Sequence, residues 1–179
     1  MKHIIIEGCD GAGKTTLITH LMEYLPLVQH ARASDSKTGP VPNLSDWIQI
    51  DLMQLEERPS DLDPYIYDRH PLISELLYGP IRWHNRTGPL GSFRSREWIV
   101  KQQRRMANLS TLVICSPPYE EVERVMQAQG REAHMPGVFE NRFTLWTGYN
   151  NFTWPGTVIR YDRTRDTAKD LAQTLEKMN

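Results

Sequence analysis

Near the start of the chain, Gly8-Cys9-Asp10-Gly11-Ala12-Gly13-Lys14-Thr15-Thr16 follows the apolar run His3-Ile4-Ile5-Ile6. Glycines at 8 and 13, with Lys14-Thr15 directly behind, match the pattern G-x-x-x-x-G-K-[ST], a phosphate-cradling loop between a strand and a helix. The physics behind the pattern is specific. Glycines reach the backbone angles that turn successive N–H groups inward, and the helix that opens at Lys14 adds the positive end of its dipole. Lys14 is then expected to reach the β- and γ-phosphates of a nucleoside triphosphate, and the Thr15 hydroxyl to hold Mg²⁺. Gly8, Asp10, Gly11, Ala12, Gly13, Lys14, Thr15 and Thr16 form the expected ATP-binding loop.

This opening limits what the remainder can be. Leu17, Ile18, Leu21, Met22 and Leu25 recur at helical spacing, and Pro26 ends that helix. Residues 27–33 read as a second strand, 34–40 as a loop, and 44–57 as a helix with Leu44, Trp47, Ile48, Leu52 and Leu55 on one side. Tyr65-Ile66-Tyr67 reads as a short strand ending at Asp68. Helical periodicity follows over 72–78, an irregular segment over 79–91, and a basic helix over 92–107. Thr111-Leu112-Val113-Ile114-Cys115 is a further apolar strand, and Ser116-Pro117-Pro118 opens a helix with Glu120 and Glu121 in its first turn. After a break at Pro136-Gly137 come a helical piece over 139–149, a strand over 157–160 and an amphipathic last helix with Ala168, Leu171, Ala172, Leu175 and Met178. Strands alternating with helices predict a parallel sheet of about five strands with helices on both faces, a three-layer α/β/α domain over 1–179. Its ligands belong at the carboxyl ends of the strands, where Gly8, Asp68 and Ser116 fall.

Composition narrows the partners. A net charge of −1 gives no electrostatic reason to bind duplex nucleic acid or an anionic membrane. Cys9 and Cys115 are the only cysteines, too few for a zinc site or a disulfide framework. A strand beginning near residue 2 leaves no room for a signal peptide, and no apolar run reaches membrane length, so a cytoplasmic location is expected.

Asp68 and its neighbours carry the second half of the chemistry. A carboxylate ending a strand beside the glycine loop can face Mg²⁺, and Arg69 after it can clamp a phosphate in bidentate fashion. Here Ile6-Glu7-Gly8-Cys9-Asp10-Gly11-Ala12-Gly13-Lys14-Thr15-Thr16, Tyr67-Asp68-Arg69-His70 and Ile114-Cys115-Ser116-Pro117-Pro118 together resemble the thymidylate kinases, and Pro71-Leu72-Ile73-Ser74-Glu75-Leu76-Leu77-Tyr78-Gly79 is similar to the related deoxynucleoside kinases. The resemblance implies a P-loop NTPase fold with a small lid over about residues 128–142. It also implies transfer of the ATP γ-phosphoryl to a deoxynucleoside monophosphate, with dTMP foremost, giving the diphosphate and ADP.

By the same resemblance, Asp10 meets the acceptor's 3′-hydroxyl, Asp68 organises Mg²⁺, and Arg69 holds the acceptor phosphate. Arg32 stands near the transferring phosphoryl group. Gly11 occupies a position where some members carry an arginine. Members with glycine there supply one from the lid, which points to Arg131, flanked by Arg124 and Arg142. Ser74 and Tyr78 fall on the family's acceptor-side signature, with serine where asparagine is usual and the tyrosine one residue displaced. Thymidylate kinases are commonly dimers, so a homodimer is compatible with the resemblance, although no stripe in this sequence specifies one. Trp47, Tyr65, Trp83, Trp98, Phe139 and Trp146 could stack on a base, but such aromatics more often serve the core. The six histidines show no ligand spacing. Two other functions share the same residues: a kinase for a deoxynucleoside or another 5′-hydroxyl, with Asp35 or Glu7 as base, and a nucleotide-hydrolysing switch.

Overall fold

The computed structural model describes residues 1–30, 44–59, 62–83 and 95–178, with the backbone alone at 28–30 and 82–83. Arg32, Asp35 and the loop expected at 34–40 lie outside the described residues. The strands are β1 (His3–Glu7), β2 (Val28–His30), β3 (Tyr65–Asp68), β4 (Ser110–Cys115) and β5 (Val158–Tyr161). All pair in parallel, in the order β2-β3-β1-β4-β5. The first strand in sequence is therefore the centre of the sheet, and its five residues are all buried. Ile4, Ile5 and Ile6 are fully enclosed, each contributing roughly 1.5–3 kcal/mol through removal of its side chain from water.

Seven α-helices are described: α1 (Lys14–Tyr24), α2 (Leu44–Glu56), α3 (Pro71–Trp83), α4 (Arg96–Leu109), α5 (Tyr119–Gln129), α6 (Arg142–Asn150) and α7 (Ala168–Lys177). They flank the sheet in two groups. One joins α1 to α7, and the other links α2, α4, α3, α6 and α5 in a chain of neighbours. This is the expected layered α/β architecture, with the chain reversing its direction across the sheet at β1. Such a reversal opens a crevice at the carboxyl ends of β1, β3 and β4.

Several boundaries move for identifiable reasons. The third helix does not stop at Tyr78 but runs through Gly79 and Pro80 to Trp83. Packing overrides the local breakers: α3 lies on α6 where Gly148 is so close that a Cβ there would sit 3.0 Å from Leu77 Cδ2. The basic helix starts later than residue 92, at Arg96, because the Ser95 side chain accepts from the Trp98 N–H at 3.1 Å and caps it. The final helix is capped in the same way, with the Thr167 hydroxyl accepting from Asp170 N–H. Between α5 and α6 lie a short 3-10 turn, Arg131–Ala133, and the positive-φ glycines Gly130 and Gly137. No helix among the described residues is long and apolar enough to cross a membrane.

Candidate active site

The glycine loop joins β1 to α1, and its conformation follows from residues that lack a side chain. Gly13 is the N-cap of α1, in the left-handed region at φ 91°. Gly8 has φ 147°, and a Cβ there would stand 2.8 Å from the carbonyl oxygen of Cys115 at the end of β4. Only glycine lets the loop turn so tightly against the neighbouring strand. Gly11 faces α5 with φ 77°, where a Cβ would lie 3.0 Å from Met126 Cγ and 3.1 Å from the Val122 carbonyl oxygen, so a side chain there would be strained and would press on α5.

Lys14 is buried, and its Nζ donates to the Cys9 carbonyl at 2.8 Å across the loop. Burial, and next the Arg69 charge, push its ammonium below the ordinary lysine range. A cation held at that cost within the glycine loop suits an anion arriving from outside. Thr15 and Thr16 on the first turn of α1 are exposed.

Beside the loop, β3 delivers Asp68 and Arg69. The register sets Ile6 opposite Asp68, which is buried at the strand's carboxyl end. Arg69 is the one non-glycine described with positive φ, at 71°, and its N–H donates to the Ile6 carbonyl at 3.0 Å. That left-handed residue is strained, and strain of this kind gathers at functional sites. Here it turns the guanidinium back onto the loop. Arg69 Nη2 donates to Asp10 Oδ1 at 2.5 Å and to the Tyr78 hydroxyl at 2.9 Å, and Nη1 donates to the Tyr149 hydroxyl at 2.9 Å.

Two carboxylates and two phenols complete the group. The Tyr78 hydroxyl donates to Asp10 Oδ1 at 2.9 Å, and the Tyr149 hydroxyl donates to Glu7 Oε2 at 2.8 Å. Glu7 is wholly buried, takes the His70 N–H at 2.7 Å on its other oxygen, and lies 3.9 Å from Arg69. Burial raises the Glu7 carboxyl above its ordinary value, against the opposing pull of Arg69. Burial acts the same way on Asp10, but there Arg69 and Lys14, with hydrogen bonds from Tyr78 and His134, prevail and hold it at about 2.

A pH prediction follows from that sign. The Asp10 contribution to stability is present above the unfolded carboxylate value of about 4 and is lost as pH falls through about 2. Thermal melts between those values should show a shallower acid-side decline for Asp10→Asn than for the unaltered chain. Equal slopes would mean that Asp10 is not held by the cations around it.

The expected site residues are not all drawn together. Asp10, Lys14, Arg69 and Tyr78 are in one connected cluster. Ser74 is not part of it: its hydroxyl donates to the His70 carbonyl at 3.2 Å inside α3. Arg131 is 74% exposed and pairs with Glu140 at 2.6 Å, and Arg142 pairs with Glu123 at 2.5 Å, so neither lid-side arginine is engaged at the loop in this conformation. Arg124 is bound to Glu121. Trp47, Trp98, Phe139 and Trp146 pack against the core, and Tyr65 stacks on His3.

Sequence reading missed four participants. Glu7, which it weighed only as a base, was marked by being a carboxylate inside a fully buried strand. Tyr149 arrives from α6 with no local signal. His134, read as ordinary along with the other histidines, has a side chain only 4% exposed with Nδ1 3.3 Å from Asp10 Oδ2. Arg163, after β5, lies against Gly13.

A magnesium ion fits the donor chemistry. Thr15 and Asp68 offer oxygen ligands only, and Mg²⁺ typically takes one or two protein oxygens, with water and phosphate supplying the others. Among the described residues no group of three or more His, Cys, Asp or Glu could hold a metal by itself.

No family model matches the chain, and no curated protein matches it in sequence. Solved structures do match in shape. The YorR protein of Bacillus subtilis, solved in complex with phosphorylated GDP, superposes with TM-score 0.67 at 15% identity, over 98% of this chain and 94% of that one. A deoxyadenosine kinase from M. mycoides with bound dATP gives 0.54 at 14% identity, over the full length of both chains. A thymidylate kinase from Candida albicans gives 0.55 at 12% identity, over 99% of this chain and 90% of that one. At such identities the likeness is one of architecture, and in architecture this chain is a P-loop α/β domain of the kind built by deoxynucleoside and thymidylate kinases.

Proposed function

We propose that the chain is an ATP-dependent deoxynucleoside monophosphate kinase acting in the cytoplasm, with dTMP as the foremost acceptor. The observation that carries this reading is the place of Arg69: a strained backbone holds its guanidinium against Asp10, inside the glycine loop itself. A fixed cation beside a triphosphate nest suits an acceptor that brings its own phosphate. Phosphoryl transfer asks mainly for positioning and charge neutralisation. The loop amides and Lys14 would hold the donor, and Arg69, set by Tyr78 and Tyr149, would orient the acceptor. Asp10 would take the acceptor's sugar hydroxyl. Thr15 and Asp68 would hold Mg²⁺, which when bound neutralises charge on the phosphates. Arg131 would act from the lid segment only after exchanging Glu140 for phosphate.

One observation favours a nucleoside as acceptor instead. Arg69 already has Asp10 at 2.5 Å and Glu7 at 3.9 Å, so its charge is matched without a substrate phosphate. Glu7 is a poor base for that chemistry, because Tyr149 and His70 occupy its oxygens. ADP release should be measured with ATP and Mg²⁺ against a panel of deoxynucleoside monophosphates and deoxynucleosides. We expect release to depend on a monophosphate. Release driven by nucleosides would transfer the assignment to a nucleoside kinase, and release without any acceptor would make the chain a hydrolytic switch.

A further inference from the structure

Arg163 belongs to none of the roles above. It stands in the turn after β5, where the Asp162 carboxylate accepts from Thr164 N–H at 2.9 Å and from the Thr164 hydroxyl at 2.7 Å. That turn lays the arginine across the glycine loop: a Cβ on Gly13 would meet Arg163 Cδ at 3.0 Å and Nη1 at 3.2 Å. The location is electrostatically unfavourable for a cation. Gly13 caps α1, so the guanidinium lies at the positive end of the helix dipole.

Its compensation is thin. Nη2 donates to Glu121 Oε1 at 3.1 Å, but Glu121 already receives Arg124 through two shorter bonds of 2.7 and 2.8 Å. The Arg163 Nε is buried and has no hydrogen-bond partner among the described residues. A half-matched guanidinium with an orphaned donor, pressed against an anion nest, is arranged for an anion.

The two ends of the loop indicate which one. Asp10 and Arg69 mark the acceptor side, so the phosphoryl group to be transferred must face them. Gly13 and Arg163 then face the far end of the triphosphate. We propose that Arg163 is a donor-binding residue that grips the α-phosphate end of ATP from the turn after β5, exchanging Glu121 for phosphate as the nucleotide enters. This rests on the nucleotide-binding reading of the loop, not on the identity of the acceptor.

Calorimetric binding of ATP and of inorganic tripolyphosphate, without acceptor, tests it. Arg163→Met should weaken both ligands by about the same factor, tenfold or more, and Arg163→Lys should recover part of the loss. Arg124→Ala, which removes only the competing cation on Glu121, should leave both affinities within about twofold. Unchanged ATP affinity in Arg163→Met would overturn the proposal and make the residue a clasp between α5 and the loop. Loss for ATP with tripolyphosphate unaffected would also overturn it, because the guanidinium would then serve the nucleoside. So would an unaltered chain that binds ATP and ignores tripolyphosphate. Failure of the unaltered chain to bind ATP is a separate result, which removes the nucleotide reading itself.

Discussion

Lys14→Ala is expected to reduce phosphoryl transfer by about a thousandfold while leaving the melting temperature no lower. On the proposed function the activity loss follows from deleting the loop's own side-chain cation for the phosphates, and single preorganised donors of this kind are worth roughly 10²–10³ in turnover. The stability expectation is less intuitive. Lys14 is buried, and its lowered proton affinity records, burial first, what enclosure costs the charge. Its described hydrogen bond is to the Cys9 carbonyl, an interaction the tight loop does not depend on, because Gly8 and Gly13 set its course. Removing a desolvated cation therefore removes a penalty along with a contact. Parallel turnover assays and thermal melts check both halves. Retained transfer would take the chain out of P-loop chemistry, and a large fall in melting temperature would show that Lys14 is structural.

The second large effect is at Arg69. Arg69→Ala should raise the acceptor KM by about a hundredfold and the ATP KM by less than about threefold, since in the proposed function the guanidinium serves the acceptor. It should also destabilise the fold by about 3–5 kcal/mol, because it strips the shared cation from Glu7 and Asp10 and removes the donor that both phenol oxygens accept from. Arg69→Gly separates the two consequences. It loses the same guanidinium but relaxes the φ of 71°, so it should be the more stable of the two variants with an equally raised acceptor KM. Equal effects on both KM values would remove Arg69 from the acceptor site and leave it a structural hub.

Parts of this arrangement were legible before any coordinates. The glycine loop was, because its conformation is local: Gly8, Gly11 and Gly13 take positive φ angles and α1 opens at Lys14. The alternation of strands and helices gave the layered fold for a similar reason, each apolar run declaring its own period. Asp68 and Arg69 were visible because they end a short aromatic strand.

What the local pattern could not show was which distant residues close on that loop. Tyr149 reaches Glu7 from the far side of the sequence, His134 reaches Asp10, and Arg163 reaches Gly13. Nothing in the periodicity near any of them marks the contact. The breakers Gly79 and Pro80 were equally misleading, since the packing of Leu77 on Gly148 keeps α3 helical past them. The chain by itself determined the course of the glycine loop between β1 and α1, because backbone conformation near glycine is decided within a few residues. Only the tertiary structure decided what surrounds that loop, because hydrogen bonds and ion pairs between elements depend on how a parallel sheet brings its strand ends together.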